Sequence, residues 1–543
     1  MQRLARLPII LQLAFLGAIA MLVPAIHAAV TLNWPLARIF VQSAVGGAVV
    51  TVLIGLALLG RPAADRVRGV LPTMLGVFAV LPVLLAIPMA AALPDTGLFN
   101  AWWEMLSCLT TTGATLYAPD LLDPSLHLWR ALVGWLGGLF VLVAAVALLA
   151  PLHVGGFEIV VDTEPAPAVG PGGRTRTERQ ARPDSRIRRI SADPAFRMWR
   201  SGAAVAPPYA GLTLALWLGL MLTGDSGLVA LCRAMGTLST SGISPVGGPV
   251  GAPSGGVPAE ALIALFLLTA LSRRMWPGGN ELRTTRRLRR DPELRMAAAL
   301  VAMVTLVLVI RPMLGVLGAA DPVSTPEPAA SGLVGGLARS LAAAWGTAFS
   351  ALSFLTTTGW TSVHWEGARA WSGLSAPGLM LAGLAIMGGG VATTAGGVKL
   401  LRVYALARHS QRELERIVHP ASVGGGGTRE RQLREGGAYL AFIFFMLFAM
   451  SIALVVVMVS IRPIAIETAT MLSVAALTNT GPLAEAIPLI PAYQGSAGSA
   501  GAPWAGWAGL SVFTKSVLAG AMVAGRIETL AILAMFAPGL WRR

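Results

Sequence analysis

The stretch TTTGA (Thr110–Ala114) recurs in variant form three more times, as STSGI (Ser239–Ile243), TTTGW (Thr356–Trp360) and TNTGP (Thr478–Pro482). The central glycines, Gly113, Gly242, Gly359 and Gly481, stand 129, 117 and 122 residues apart. Each follows a short amphipathic stretch and precedes a long apolar run. Self-similarity at a near-constant interval marks a repeated structural unit. A polar strand centred on glycine is what is expected where four copies of one loop replace an ion's water shell with backbone carbonyls. Glycine accepts the positive φ that turns successive carbonyls inward. The flanking hydroxyls either pin the strand or face the ion. The candidate ion-binding residues are therefore Thr111, Thr112 and Gly113; Thr240, Ser241 and Gly242; Thr357, Thr358 and Gly359; and Asn479, Thr480 and Gly481.

The composition places these strands in a membrane. Hydrophobic residues make up 55% of the 543-residue chain and charged residues 12%, far from a soluble globular balance. Apolar runs of about the 20 residues needed to cross a bilayer fall at 8–30, 38–60, 71–92, 131–152, 203–223, 258–272, 296–318, 374–398, 438–460 and 505–536, the sixth being short. The first is long for a signal peptide and reads as a retained helix. The net charge of +15 sits in loops 61–70, 158–200, 273–295 and 399–435 and in the Trp541–Arg543 tail, alternating with loops that hold few arginines. This is the positive-inside pattern. It expects both termini in the cytoplasm and the four glycine strands toward the outside, and it accounts for the charge without nucleic acid. The basic loops are also suited to anionic membrane lipids or to a cytosolic partner.

The fold class expected is an all-α polytopic membrane protein, with four pseudo-symmetric helix–pore-loop–helix repeats around a central pore and an extra N-terminal helix pair. The short stretches Ala101–Leu109, Gly227–Leu238, Ser340–Leu355 and Ala465–Leu477 are too short to span and read as re-entrant half-helices. The organisation expected is a helix pair at 1–65, repeats at 66–157, 201–290, 291–405 and 436–543, and basic cytosolic loops at 158–200 and 406–435. A Pro/Ala/Gly insert at Ala320–Arg339 lengthens the third repeat. Low-complexity tracts at 164–189, 245–258, Gly424–Gly427 and Gln494–Pro503 read as flexible loops. A half-helix entering from outside aims its C-terminal end, with about half a negative charge, at the pore centre. No Asp or Glu lies inside the strands, so carbonyls rather than a carboxylate ring are expected to select the ion. Glu104 and Glu467 either add outer negative potential or anchor their half-helices.

Other chemistry is poorly supported. Cys108 and Cys232 are the only cysteines, and six scattered histidines form no ligand-spaced cluster. With no HExxH, GxSxG or phosphate-loop pattern, neither an enzyme, a resident cofactor nor ATP hydrolysis is expected. A secondary transporter would show two matched broken helices, where this chain shows four matched re-entrant segments.

The chain resembles the Trk/Ktr/HKT superfamily of potassium transporters, most of all its Trk-type ion-conducting subunits. Beyond the four strands, the likeness runs through SCLTTTGAT (Ser107–Thr115), WLGGLFVLVAAVALLAPLHVGG (Trp135–Gly156), RDPELR (Arg290–Arg295), GGGVATTAGGVKLLR (Gly388–Arg402), RELERIVHP (Arg412–Pro420) and GRIE (Gly525–Glu528). It implies K⁺ as the transported ion, a bacterial inner-membrane location, a homodimer and a cytosolic nucleotide-binding regulatory subunit. Whether flux is that of a channel or a symporter stays open. Glycine at position 113, where the Na⁺-preferring branch has serine, leans toward K⁺; Na⁺ or mixed permeation is the alternative. Trp360 stands where the family suggests a smaller aromatic.

The run Gly388, Gly389, Gly390, Val391, Ala392, Thr393, Thr394, Ala395, Gly396, Gly397 cannot stay comfortably helical, since each interior glycine costs about 1 kcal/mol relative to alanine. By itself it reads either as a close helix–helix contact or as a broken helix lining a cavity. The resemblance implies an intramembrane loop that blocks the pore and moves on activation. Of 41 basic residues only Lys399 and Lys515 are lysine. Lys399 ends the loop; Lys515 lies in the last apolar run, where the alternative is snorkelling to the interface. Arg526 in the same run would cost at least about 2.5–3.5 kcal/mol facing lipid. It is expected to face the pore and, with the loop, to control passage.

Overall fold

The computed structural model describes residues 8–58, 70–149, 194–276, 291–318, 333–372, 377–419, 437–486 and 506–527. Outside them lie most of the basic loops (61–69, 158–193, 277–290 and 420–435), the 164–189, Gly424–Gly427 and Gln494–Pro503 tracts, the insert over 320–332, Glu528 and the Trp541–Arg543 tail. Among the described residues all regular structure is helical.

Helices α1 (Ile9–Ala20) and α2 (Leu22–Val30) form one apolar span and α3 (Trp34–Leu58) the next. They pack on α4 (Val70–Ala92) and α6 (Pro124–Ala144). Asp123 fixes this junction: its Oδ1 caps α6 by accepting from the Ser125 amide at 2.8 Å, and its Oδ2 accepts from Asn33 Nδ2 at 2.9 Å. Pro124 suits the first helical position because its missing N–H would have no partner there.

A long helix, a short helix, a polar strand and a further helix then follow one another four times. The first set is α4, α5 (Gly97–Leu109) and α6, and the second is α7 (Pro194–Leu222), α8 (Gly227–Leu238) and α9 (Gly256–Leu267). The third is α10 (Pro292–Gly318), α11 (Leu333–Leu355), α12 (Trp365–Ser372) and α13 (Gly378–Met387), followed by α14 (Leu400–Val418). The fourth is α15 (Ala438–Val459), α16 (Ile466–Leu477), α17 (Leu483–Ala486) and α18 (Val512–Ile527).

The last helix of each set packs on the short helix of the next: α6 on α8, α9 on α11, α13 on α16, and α18 back on α5. The four sets thus close into a ring. Within a set, glycine lets the last helix approach the short helix closely at two equivalent places. A side chain at Gly137 would strike the Leu109 carbonyl, and one at Gly525 the Leu477 carbonyl, each at the end of a short helix. Burial separates inner from outer helices: 72% of the Pro124–Ala147 span is buried, against 17% of Ala438–Val459. The latter presents Tyr439, Phe442, Met450, Leu454 and Val457 outward, as lipid-facing helices do.

The bounds of two short helices change, and the ten expected spans are tested only in part. Seven helices among the described residues are long and apolar enough to cross a membrane. Helix α9 is short, α13 stops at Gly388 where φ is 72°, and α18 is described only as far as Ile527. The first short helix begins at Gly97 rather than Ala101, and the third at Leu333 rather than Ser340, the apolar end of the insert (LVGGLAR) extending it to 23 residues.

A ring of four polar strands and the loop against it

Each short helix runs into its strand through the same set of hydrogen bonds. In the first, the amides of Thr110, Thr111 and Thr112 donate to Leu106, Cys108 and Ser107 carbonyls at 2.9 Å each. Ser239, Thr240 and Ser241 do the same toward Met235, Thr237 and Gly236; Thr356, Thr357 and Thr358 toward Leu352, Phe354 and Ser353; and Thr478, Asn479 and Thr480 toward Val474, Ala476 and Ala475. The flanking hydroxyls pair within each strand: Thr110 with Thr112 (2.8 Å), Ser239 with Ser241 (2.9 Å), Thr356 with Thr358 (3.1 Å) and Thr478 with Thr480 (3.2 Å). None of these twelve residues is more than 1% exposed.

The backbone is turned at the same point in all four strands. Thr111, Thr240, Thr357 and Asn479 have φ of 55°, 54°, 57° and 55°. A β-branched residue is seldom found there, and such strain concentrates at functional sites. Gly113, Gly242 and Gly359 are left-handed as well, at 73°, 64° and 84°. Gly481 departs from them and is not left-handed. Its amide donates instead to the Thr112 carbonyl of the first strand at 2.6 Å.

Every glycine faces the next strand. An added Cβ would strike the Ser241 carbonyl from Gly113, the Thr358 carbonyl from Gly242 and the Pro482 ring from Gly359; from Gly481 it would come 2.7 Å from the Thr112 carbonyl oxygen. Twelve predicted residues from four distant segments therefore meet in one ring. Their side chains are not equivalent: Thr111 Oγ1 is buried without a hydrogen-bond partner among the described residues, whereas Asn479 Nδ2 donates to Thr112 Oγ1 (3.0 Å) and to the Met522 carbonyl (2.9 Å).

The Gly388–Lys399 segment is buried throughout and lies against the ring. Gly388, Ala392, Gly397 and Lys399 have φ of 72°, 56°, 76° and 84°, so the helix is broken over its length. The Gly396 amide donates to Thr357 Oγ1 at 2.7 Å, and an added Cβ at Gly396 would strike the Thr478 carbonyl. Other bonds reach away from the ring. Gly390 N and Thr393 Oγ1 both donate to the Ala270 carbonyl at 3.0 Å, and Val391 N donates to Glu293 Oε1 at 2.8 Å. Lys399 Nζ donates to the Ala395 carbonyl. The Thr394 hydroxyl is buried with no hydrogen-bond partner among the described residues, and Gly389 lies against Ala395 and the Ala270 carbonyl. Arg526 follows Gly525, at the end of the fourth short helix; it is buried, and its Nε and Nη2 have no hydrogen-bond partner among the described residues.

The periphery carries charges that sequence reasoning left out or left open. Glu104 is an anchor: it accepts from Arg130 Nε and from the Leu116 amide, both at 2.8 Å, while Glu467 is exposed. Arg233 is held by both oxygens of Asp225 (2.9 and 2.7 Å). Glu260 accepts from Ser362 Oγ (2.7 Å), the Val363 amide (2.6 Å) and Trp345 Nε1 (2.8 Å), tying the second set to the third. The available signal was an acid inside an apolar run, which must find partners when buried. Lys515 Nζ donates to Asn100 Oδ1 at 3.0 Å.

These features define an integral membrane protein whose helices surround a ring of strained polar backbone. The chain belongs to the TrkH family of cation transport proteins, whose family model matches residues 262–542. It is 27% identical over 474 residues to the Trk system potassium uptake protein TrkH of Halomonas elongata, covering 87% of this chain and 84% of that one. Its identity to the Trk system potassium uptake protein TrkG of Escherichia coli is 24% over 449 residues, covering 82% and 79%. The crystal structure of the potassium transporter TrkH from Vibrio parahaemolyticus superposes with a TM-score of 0.71 at 21% identity, covering both chains fully, and so shares the fold. The family is one of transporters, not enzymes.

Proposed function

We propose that this chain takes up potassium ions through a filter built from Thr111–Gly113, Thr240–Gly242, Thr357–Gly359 and Asn479–Gly481. The observation that carries the reading is the common left-handed turn at Thr111, Thr240, Thr357 and Asn479 in four strands that close on one another. Such a turn re-aims the carbonyls of consecutive residues, and carbonyl rings are how a protein replaces the hydration shell of K⁺. The relatives named as potassium uptake proteins support the choice of ion. K⁺ is the cargo, and no resident cofactor is invoked.

Beneath the filter, Gly388, Gly389, Gly390, Thr393, Thr394, Gly396, Gly397 and Lys399 form the gate, with Arg526 as a fixed positive charge on the same path. In this reading the chain is organised as the N-terminal pair and four repeats, works as a homodimer in a bacterial inner membrane with both termini cytoplasmic, and answers to a cytosolic nucleotide-binding subunit that docks on the basic loops. The relatives' designation as parts of a Trk system favours such a partner.

Uptake of ⁸⁶Rb⁺ and ²²Na⁺ into proteoliposomes, wild type beside Gly113→Ser, tests the filter. Rb⁺ flux that K⁺ blocks, with preference shifted toward Na⁺ in the variant, is expected. Equal Rb⁺ and Na⁺ flux in wild type would favour mixed permeation on the same scaffold.

A further inference from the structure

The four strands share their turn, yet their outer ends are held in two different ways. In the first and third, a serine of the preceding short helix does it: Ser107 Oγ donates to the Ala114 carbonyl at 2.7 Å, and Ser353 Oγ accepts from the Trp360 amide at 2.7 Å. The second and fourth have Gly236 and Ala475 at the equivalent positions and lack this tie. They are tied to a neighbour instead. Gly481 donates to the first strand's Thr112 carbonyl, and the second strand's Gly242 carbonyl accepts from the indole Nε1 of Trp360, on the third strand, at 2.9 Å. Support around the filter is therefore twofold, not fourfold.

Trp360 is 5% exposed, and Gly236 is what gives it room. An added Cβ at Gly236 would come 2.9 Å from the Ile243 carbonyl oxygen and 3.0 Å from Trp360 Cζ2. The absent serine and the large aromatic are two halves of one arrangement, and a phenyl ring at 360 could fill the space but could not donate.

We propose that Trp360 is a positioning residue for ion selection, acting through its N–H on the Gly242 carbonyl. The inference rests on the filter reading above. A carbonyl with a fixed donor cannot swing freely to close on a smaller ion, and sharing its lone pairs weakens its field on the ion. Both effects bear on the cavity size and field strength that set K⁺ against Na⁺, and both favour the larger ion.

The test replaces the donor while keeping the shape. Trp360→3-benzothienylalanine exchanges the N–H for sulfur, and Trp360→Phe and Trp360→Ala accompany it. Each purified protein is compared with wild type for its ⁸⁶Rb⁺ to ²²Na⁺ uptake ratio in proteoliposomes, with melting temperature measured alongside. The expected result is a ratio lowered about two- to tenfold, the span of one hydrogen bond, in the isostere and the Phe variant alike, with Rb⁺ uptake retained. A wild-type ratio in the isostere, with loss only in the Ala variant, would mean that Trp360 merely fills space and would overturn the proposal. Absence of Rb⁺ preference in wild type would overturn the filter reading as well, so the two failures are distinguishable.

Discussion

The four polar strands and the Gly388–Lys399 loop are both irregular, buried backbone, but their hydrogen bonds come from different distances. Apart from Gly481, the strand amides that donate to a carbonyl do so to the short helix immediately before them, three to six residues back. The loop reaches farther: Val391 to a carboxylate 98 positions away, Thr393 to a carbonyl 123 positions away and Gly396 to a hydroxyl 39 positions away, beside the nearer bonds of the Val398 and Lys399 amides to Ile386 and Met387. A locally bonded turn cannot be undone without unwinding its helix. A segment held by a few long-range bonds is released when one partner element shifts. On the proposed function, the strands are the fixed structure that selection requires and the loop the releasable one that gating requires.

Substitutions on either side should affect different quantities. The largest effect is expected from Gly242→Ala, whose Cβ would meet the Thr358 carbonyl and lie 3.2 Å from Pro482 Cγ at a residue with φ 64°. Strain of about 1–3 kcal/mol in the filter should reduce the ⁸⁶Rb⁺ to ²²Na⁺ uptake ratio by about tenfold or more. On the loop side, Glu293→Ala leaves the buried Val391 amide without its acceptor, a cost of about 1–3 kcal/mol to the seated loop. Basal Rb⁺ flux without any partner should rise on the order of tenfold while the ion ratio stays at the wild-type value. A changed ratio would mean that the two regions are not separable.

Arg526→Ala removes a buried cation from the proposed ion path. Rb⁺ flux should increase several-fold, again at constant ratio, since a like charge near the path disfavours a cation; unchanged flux and regulation would remove Arg526 from the gate. The smallest effect is expected from Thr357→Val, which keeps the shape but removes the hydroxyl that accepts from Gly396. It lies on both sides of the comparison, so a rise in basal flux of about two- to tenfold should come with a small change in ratio.

The four strands were legible because their residue types repeat, and because glycine and threonine at fixed spacing report a local backbone requirement. The loop was legible as a break in a helix, since consecutive glycines report that locally too. What the sequence could not supply were partners distant along the chain: Glu293 under Val391, Glu260 spanning two sets, and Trp360 reaching Gly242. An acid in an apolar run or an unexpected indole can be noticed in its own segment, but neither names the distant group it meets. Gly481 shows the opposite case, a residue matching the pattern whose backbone departs from it because the Thr112 carbonyl takes its amide. Where α13 stops was not legible either, since Gly388 ends the helix inside a run that is apolar throughout.

The central claim, that four strands of one chain jointly bind the ion, is most directly tested by anomalous diffraction from crystals grown in Rb⁺ or Tl⁺. The account predicts density on the common axis of the strands, bounded by carbonyls from the Thr111–Gly113, Thr240–Gly242, Thr357–Gly359 and Asn479–Gly481 segments. Ions found only elsewhere, or bound by one or two of the strands alone, would contradict it.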